Sequence, residues 1–170
     1  ANTFIASQGY SVGDSLYEPD LIDEAERIIG VMKTRGADLP LPKDVVVAES
    51  LKQDAESYDE EVEQVTEGEK IFDIGPETTK SYVELLKRAG TILWNGPLGA
   101  FEMPQFSLGT AAIAKAVAAS NATKVAGGGD TLLAIERYQI ADKIDYISTG
   151  GGAFLGYLEG KDLPAIKALK

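Results

Sequence analysis

The first part of the chain contains one segment in which apolar residues recur with a helical period and one short continuous apolar run. Between Pro19 and Arg35, apolar residues recur every three or four positions, which predicts an amphipathic helix that ends at Gly36. The β-branched run Asp44–Ala48 predicts a short buried strand. The acidic stretch Glu49–Glu69 has no clear period, so we expect a surface excursion there, with a short strand near Val62–Thr66.

From Ile71 onwards, strand-like and helix-like segments alternate. Strands are predicted at Ile71–Ile74 and in the runs TILW, KVAGGG and DYISTGGG, and a helix is predicted to begin at Pro76. Further helices are predicted in the runs PQFSLGTAAIAKAVAAS, DTLLAIERY, AFLGYLEG and LPAIKAL. Strands that alternate with helices form right-handed βαβ units. The pattern therefore predicts an α/β fold in which a parallel sheet has helices on both faces.

Two glycine triplets lie where a predicted strand leads into a predicted helix: Gly127–Gly129, followed by Asp130, and Gly150–Gly152. Ligands of open parallel sheets bind at the edge where the strands end. Glycine lets the backbone approach a ligand closely, and a helix N-terminus attracts phosphate. Gly127–Thr131 and Ser148–Ala153 are therefore predicted to form two anion-binding cradles. The carboxylate of Asp130 suits such a cradle if Mg²⁺ bridges it to substrate phosphates.

These residues leave other interpretations open. The triplets are also compatible with tight turns alone, and Asp130 is also typical of a helix N-cap. Neither triplet matches GxxxxGK[ST] or GxGxxG, and neither loop contains a lysine. A third loop, Trp94–Glu102, is predicted to be a rigid bend that begins with a core tryptophan. Its Glu102 is either a solvated charge or a hydrogen-bond acceptor for a ribose.

Composition and charge narrow the classes of function. The chain has 170 residues, which suits one domain, and 44% of them are hydrophobic. It has no cysteine and no histidine, so disulfides, thiol chemistry and the commonest general base are excluded. The net charge of −11 argues against a nucleic-acid partner. No run approaches the roughly 20 apolar residues of a membrane helix, and no signal peptide opens the sequence, so we expect a cytoplasmic protein without a membrane partner.

Seven segments resemble the C-terminal, nucleotide-binding half of phosphoglycerate kinase, most closely the bacterial type, and they occur in the same order as in that family. They are ANTFIASQG, VGDSLYE, LIDEA, FDIGPET, ILWNGPLGAFE, GGGDTLLAIE and YISTGGGAFLGYLEGKDLPAI, and they span nearly the whole chain. The resemblance implies a Rossmann-like three-layer nucleotide-binding domain. It also implies a transferase of glycolysis, a kinase that moves a phosphoryl group reversibly from 1,3-bisphosphoglycerate to ADP. The products are 3-phosphoglycerate and ATP, and the cofactor is Mg²⁺.

The resemblance further implies roles for individual residues. Ile71 and Phe72 correspond to one wall of the adenine slot, Glu102 to the ribose acceptor, and Asp130 to the metal-linked carboxylate. The implied catalytic residues lie at the second helix N-terminus, facing the transferring phosphoryl group: Gly150, Gly151 and Gly152. The implied nucleotide-binding residues are Ile71, Phe72, Asn95, Pro97, Gly99, Glu102, Gly128, Gly129, Asp130 and Thr131.

The resemblance also implies what residues 1–170 lack. They are expected to form the C-terminal nucleotide-binding domain without its first strands and without the N-terminal substrate domain. Full-length members of the family are usually monomers, whereas this chain alone is expected to be inactive and to self-associate through unpaired strand edges. For the chain by itself, a non-catalytic nucleotide- or anion-binding module is the alternative function.

Overall fold

A computed structural model describes residues 1–168 of the chain. The chain forms two compact units. Unit 1 comprises Ala1–Tyr82 and Leu98–Gly109, and unit 2 comprises Val83–Pro97 and the chain from Thr110 onwards. Within the described range, no helix combines the length and the apolar character that crossing a membrane requires.

Regular secondary structure follows much of the predicted pattern. The α-helices of the described chain are α1 (Asn2–Ser7), α2 (Ile22–Thr34), α3 (Pro76–Lys87), α4 (Leu108–Ala119), α5 (Gly129–Arg137), α6 (Gly152–Leu158) and α7 (Pro164–Ala168). The strands are β1 (Asp44–Ala48), β2 (Tyr58–Glu61), β3 (Lys70–Ile74), β4 (Thr91–Trp94), β5 (Thr123–Gly127) and β6 (Tyr146–Ser148). The predicted stop after α2 is confirmed, because Gly36 has a φ of +64° that ends the helix. Helix α1 was not predicted from the sequence.

The sheet of unit 1 is antiparallel, with the strand order β2-β1-β3. The strand predicted at Ile71–Ile74 exists as β3, but its pairing with β1 keeps it out of the parallel sheet. The strand expected near Val62–Thr66 lies earlier, at Tyr58–Glu61, and Val62–Gln64 forms a single 3-10 turn. The sequence did not predict β2, because its side chains are mostly polar and only backbone hydrogen bonds to β1 define this strand.

Strand β1 is buried along its whole length, which explains its continuous apolar sequence. Alternate side chains point to opposite faces of the strand. Val45 and Val47 belong to one hydrophobic cluster, together with Ile5, Val12, Val62 and Val65. Val46 and Ala48 pack on the other side with Phe106, so β1 forms the centre of two small cores.

The first turn of α3 is held by a carboxylate from β1. Asp44 accepts hydrogen bonds from Glu77 N at 2.8 Å, Thr78 N at 2.6 Å and Thr78 Oγ1 at 2.6 Å. Burial by itself raises the pKa of the Asp44 carboxyl, but the hydrogen bonds from Thr78 and Glu77 outweigh burial and hold that pKa below its ordinary value. Asp44 therefore stabilises the start of α3 in its ionised form.

The sheet of unit 2 is parallel, with the strand order β4-β5-β6. Helix α4 connects β4 to β5, and α5 connects β5 to β6. Helices flank the sheet, so the predicted three-layer α/β fold with a parallel sheet is confirmed here. Trp94 is buried, as expected of a core residue, together with Ile92 and Ala126.

Two large apolar side chains of this sheet are exposed. Leu93 on β4 is 48% exposed and Tyr146 on β6 is 61% exposed, and both strands are edges of the sheet. Exposed apolar residues on edge strands favour association with another chain. Self-association of this polypeptide stays a prediction.

Candidate functional site

The first glycine triplet forms the turn between β5 and α5 in unit 2. Gly128 is the N-cap residue and has a φ of +98°, a conformation that favours glycine. The first helical hydrogen bond runs from Leu132 N to Gly128 O at 3.1 Å. The N–H groups of Gly129, Asp130 and Thr131 precede it, and no side chain caps them. This helix start can therefore offer the N–H groups of the exposed Gly129 and Asp130 to an anion, whereas Thr131 is buried.

The three glycines of this triplet have three different environments. A Cβ on Gly127 would clash with the ring of Phe154, so packing requires that glycine. A Cβ on Gly128 would lie 2.6 Å from Asn95 Oδ1, in addition to the positive φ. A Cβ on Gly129 would meet no atom within 4 Å. Packing thus accounts for Gly127 and turn geometry for Gly128, whereas Gly129 leaves an open cradle that a side chain would fill.

The second triplet forms a similar turn between β6 and α6, but fewer of its backbone N–H groups are free to bind an anion. Gly151 is the N-cap residue with a φ of +48°, and a Cβ on Gly152 would meet nothing within 4 Å. Gly150 N donates to Ser148 Oγ at 3.3 Å, and Ala153 N donates to Gly150 O at 3.0 Å. The anion-binding role predicted for this turn therefore rests on fewer N–H groups than at α5.

Parallel pairing brings the two turns to the same edge of the sheet. Gly127, the last residue of β5, pairs with Ser148, the last residue of β6. Both glycine turns leave the sheet directly after this pair. The two predicted cradles, Gly127–Thr131 and Ser148–Ala153, therefore begin at neighbouring positions of this edge.

Asp130 is the second residue of α5 and is exposed. The N-cap interpretation of Asp130 is wrong, because Gly128 is the N-cap and no side chain makes the capping hydrogen bond. Among residues 1–168, the Asp130 carboxylate makes no hydrogen bond or ion pair. No group of three acidic side chains suited to a metal ion exists in the same range. A single exposed carboxylate suits Mg²⁺ that takes its other ligands from water and substrate phosphates.

Thr131 is buried and connects α5 to the turn after β4. Its Oγ1 accepts a hydrogen bond from Gly96 N at 2.6 Å, and Trp94 Nε1 donates to Gly96 O at 2.8 Å. Asn95 is exposed, and its side chain lies beside Gly128. The structure thus brings together five of the predicted residues of unit 2, namely Asn95, Gly128, Gly129, Asp130 and Thr131, with Pro97 following in the same turn.

Unit 1 contains a cavity of about 430 Å³ that is lined by Ile71 and Phe72, the two predicted adenine-slot residues, and by Gly99, another predicted nucleotide-binding residue. Phe72 O accepts a hydrogen bond from Ala100 N at 2.8 Å, which joins β3 to the segment Leu98–Gly109. The lining also includes residues of α1 and of the segment after it that sequence reasoning did not single out: Ala1, Asn2, Thr3, Leu16, Tyr17 and Glu18. Glu102 is exposed on the same Leu98–Gly109 segment and does not line this cavity.

Asp73 is a buried carboxylate beside the cavity wall that the sequence analysis missed. It is 1% exposed, and its Oδ2 accepts a hydrogen bond from Gly109 N at 2.8 Å. Burial raises the pKa of Asp73 to about 6, although hydrogen bonds from Gly109 and Ile74 act in the opposite direction. The signal in the sequence was a charged residue within the apolar strand run IFDI.

Comparisons with known proteins agree with the predicted resemblance. The family model described as phosphoglycerate kinase matches residues 1–161. Phosphoglycerate kinase from Coxiella burnetii is similar at 49% sequence identity with a TM-score of 0.96, over 99% of this chain and 44% of that chain. Phosphoglycerate kinase from Pyrococcus horikoshii OT3 is similar at 31% identity with a TM-score of 0.78, over 99% of this chain and 42% of that chain.

The chain thus spans less than half the length of these two relatives. The match of the family model extends over nearly all of the chain and includes both glycine turns and the segment Trp94–Glu102. The chain therefore belongs to the phosphoglycerate kinase family.

Proposed function

We propose that residues 1–170 are the C-terminal, nucleotide-binding domain of a phosphoglycerate kinase. The enzyme transfers a phosphoryl group reversibly from 1,3-bisphosphoglycerate to ADP, giving 3-phosphoglycerate and ATP, with Mg²⁺ as cofactor. It is a phosphotransferase with a carboxyl group as acceptor, and it acts in glycolysis in the cytoplasm. Family membership supports this proposal, in which the contribution of this chain is nucleotide binding.

The observation that supports nucleotide binding most directly is the open backbone at Gly129. Glycine loses more conformational freedom on folding than alanine does, so a glycine that no protein contact requires favours close approach of a ligand. The adjacent N–H groups and the partial positive charge of the α5 N-terminus attract phosphate. In this proposal Gly128 and Gly129 offer backbone donors to the nucleotide phosphates, the buried Thr131 supports their turn through Gly96, and Asn95 and Pro97 border them.

Asp130 is the residue we propose to hold Mg²⁺. The ion would neutralise the negative charge that a nucleotide brings next to this carboxylate, and phosphoryl transfer depends mainly on such neutralisation and on positioning. Gly150, Gly151 and Gly152 are proposed to face the transferring group, where their backbone leaves room for it. No histidine is required, because the chemistry needs little general-base assistance.

In unit 1, we propose that the cavity wall formed by Ile71, Phe72 and Gly99 takes the adenine base. The ring of Phe72 lies against Phe106, with 4.8 Å between the ring centroids, which gives this wall a fixed apolar surface. Glu102 is proposed to accept hydrogen bonds from the ribose hydroxyls.

Calorimetric titration with ADP, in the presence and absence of Mg²⁺, tests the proposal. Asp130→Asn should abolish the gain in ADP affinity that Mg²⁺ provides and leave metal-free binding unchanged. Asp23→Asn is the matched control, because Asp23 is also the second residue of a helix and exposed. Equal loss of affinity with and without Mg²⁺ would reject the metal role of Asp130.

A second function, a non-catalytic nucleotide- or anion-binding module, is favoured for the chain by itself. Neither glycine loop contains a lysine, so each loop lacks a cationic side chain that phosphoryl transfer commonly uses. A coupled assay of ATP formation from 1,3-bisphosphoglycerate separates the two functions. We expect a polypeptide of residues 1–170 to bind ADP without measurable turnover, and robust turnover by its monomer would reject the module.

A further inference from the structure

Gly96 is held from both sides by side chains of unit 2. Its N–H donates to Thr131 Oγ1 at 2.6 Å, and its carbonyl accepts from Trp94 Nε1 at 2.8 Å. Gly96 has a φ of +105°, so this turn adopts a backbone conformation that few other residues tolerate. The two hydrogen bonds fix the turn after β4 against the first turn of α5.

The Thr131 hydroxyl has no access to a ligand in this arrangement. Thr131 is 0% exposed and Trp94 is 6% exposed. In contrast, Asn95, which lies between Trp94 and Gly96 in the chain, is exposed. Its Oδ1 lies 2.6 Å from the position that a Cβ on Gly128 would occupy. The side chain that faces the glycine turn is therefore Asn95, which directly precedes Gly96 in the turn that the two hydrogen bonds hold.

We propose that Thr131 and Trp94 are positioning residues that clamp Gly96, so that Asn95 keeps a fixed place beside the start of α5. This inference rests on the proposed function, in which Asn95 and the N-terminus of α5 hold the nucleotide phosphates. It deepens that proposal in the role of the Thr131 side chain, which acts on the ligand through the Gly96 turn and not by contact.

Four variants test the clamp: Thr131→Val, Thr131→Ser, Trp94→Phe and the double variant Thr131→Val with Trp94→Phe. Valine keeps the shape of threonine but removes the acceptor, whereas serine keeps the hydroxyl. Thr123→Val is the matched control, since Thr123 is exposed at the start of β5. Hydrogen exchange of the Gly96 amide, followed by NMR without ligand, reports the clamp itself. ADP affinity by calorimetry reports its effect on the site.

The Gly96 amide should exchange at least about tenfold faster in Thr131→Val, since a donor without its partner loses protection, and remain protected in Thr131→Ser. ADP affinity should fall about tenfold, or about 1.4 kcal/mol, in Thr131→Val and stay near the wild-type value in Thr131→Ser. Trp94→Phe should also weaken binding. Because both residues act through Gly96, the double variant should lose less affinity than the product of the two single losses.

Three results would overturn the inference. They are a Gly96 amide in Thr131→Val that exchanges as slowly as in the wild type, a double variant whose losses multiply, and a Trp94→Phe variant with unchanged affinity. Failure of the proposed function has a different signature, because the wild type itself would not bind ADP at millimolar concentration. That result would also overturn the ligand role of the clamp, while the exchange data would still decide whether Thr131 holds Gly96.

Discussion

Replacement of Gly129 by alanine should separate the stability of this protein from its ligand binding. A Cβ at this position would meet no protein atom within 4 Å, and Gly129 lacks the positive φ of Gly128. Alanine at such a site stabilises a protein by about 0.4–1 kcal/mol, because the unfolded chain loses conformational freedom. For a chain of this length, that gain corresponds to a rise in melting temperature of roughly 1–4 °C.

The same methyl group should weaken nucleotide binding. It would occupy the open space at Gly129, where we propose that a phosphate oxygen approaches the first turn of α5. Loss of one hydrogen bond to a charged acceptor costs about 1.5–3 kcal/mol, which corresponds to about ten- to a hundredfold in the dissociation constant of ADP. Thermal unfolding and calorimetric titration on the same sample of Gly129→Ala measure the two effects.

Two glycine variants serve as controls for this prediction. Gly30 lies within α2, has equally open surroundings and belongs to no candidate site, so Gly30→Ala should stabilise the fold and leave ADP affinity unchanged. Gly128→Ala should lower both stability and affinity, because of its φ of +98° and the 2.6 Å approach of its Cβ to Asn95 Oδ1. Unchanged ADP affinity in Gly129→Ala would refute the close approach of the ligand to this backbone.

Three further predictions concern carboxylates. Asp44→Ala should lower the free energy of unfolding by about 1–3 kcal/mol at pH 7, because α3 loses its cap. The fold lowers the pKa of Asp44, so the difference between wild type and variant should vanish as the pH falls through that native pKa. Urea titrations over a range of pH measure this difference. Burial raises the pKa of Asp73 to about 6, so its favourable contribution to the free energy of unfolding is complete below the unfolded pKa of 3.8 and is lost as the pH rises through 6. Relative to Asp73→Asn, the free energy of unfolding of the wild type should fall by up to about 3 kcal/mol between pH 4 and pH 7. Parallel pH profiles of the two proteins would contradict this prediction. Glu102→Ala should weaken ADP binding about ten- to a hundredfold and spare tripolyphosphate, and identical losses for both ligands would reject the ribose role.

Local patterns in the sequence were sufficient to predict the alternating strands and helices of the second half of the chain. Strands β4, β5 and β6 alternate with helices in regular steps, and each glycine turn lies between a strand and a helix that the sequence marks by itself. Both turns place a glycine with positive φ at the N-cap, which is a requirement of the local backbone. The parallel α/β architecture and the edge at which the candidate site lies were therefore predictable.

Contacts between residues that are distant in the sequence decided the strand pairing of unit 1 and the burial of individual site residues. The sequence marks β3 as a strand, but only its pairing with β1 makes it part of an antiparallel sheet, and the polar β2 exists because its backbone pairs with the same strand. Asp130 and Thr131 are neighbours in the same helical turn, yet one is exposed and the other is buried against Gly96, which is 35 residues away. Local sequence determines backbone conformation, whereas burial and hydrogen-bond partners depend on segments that meet only after folding.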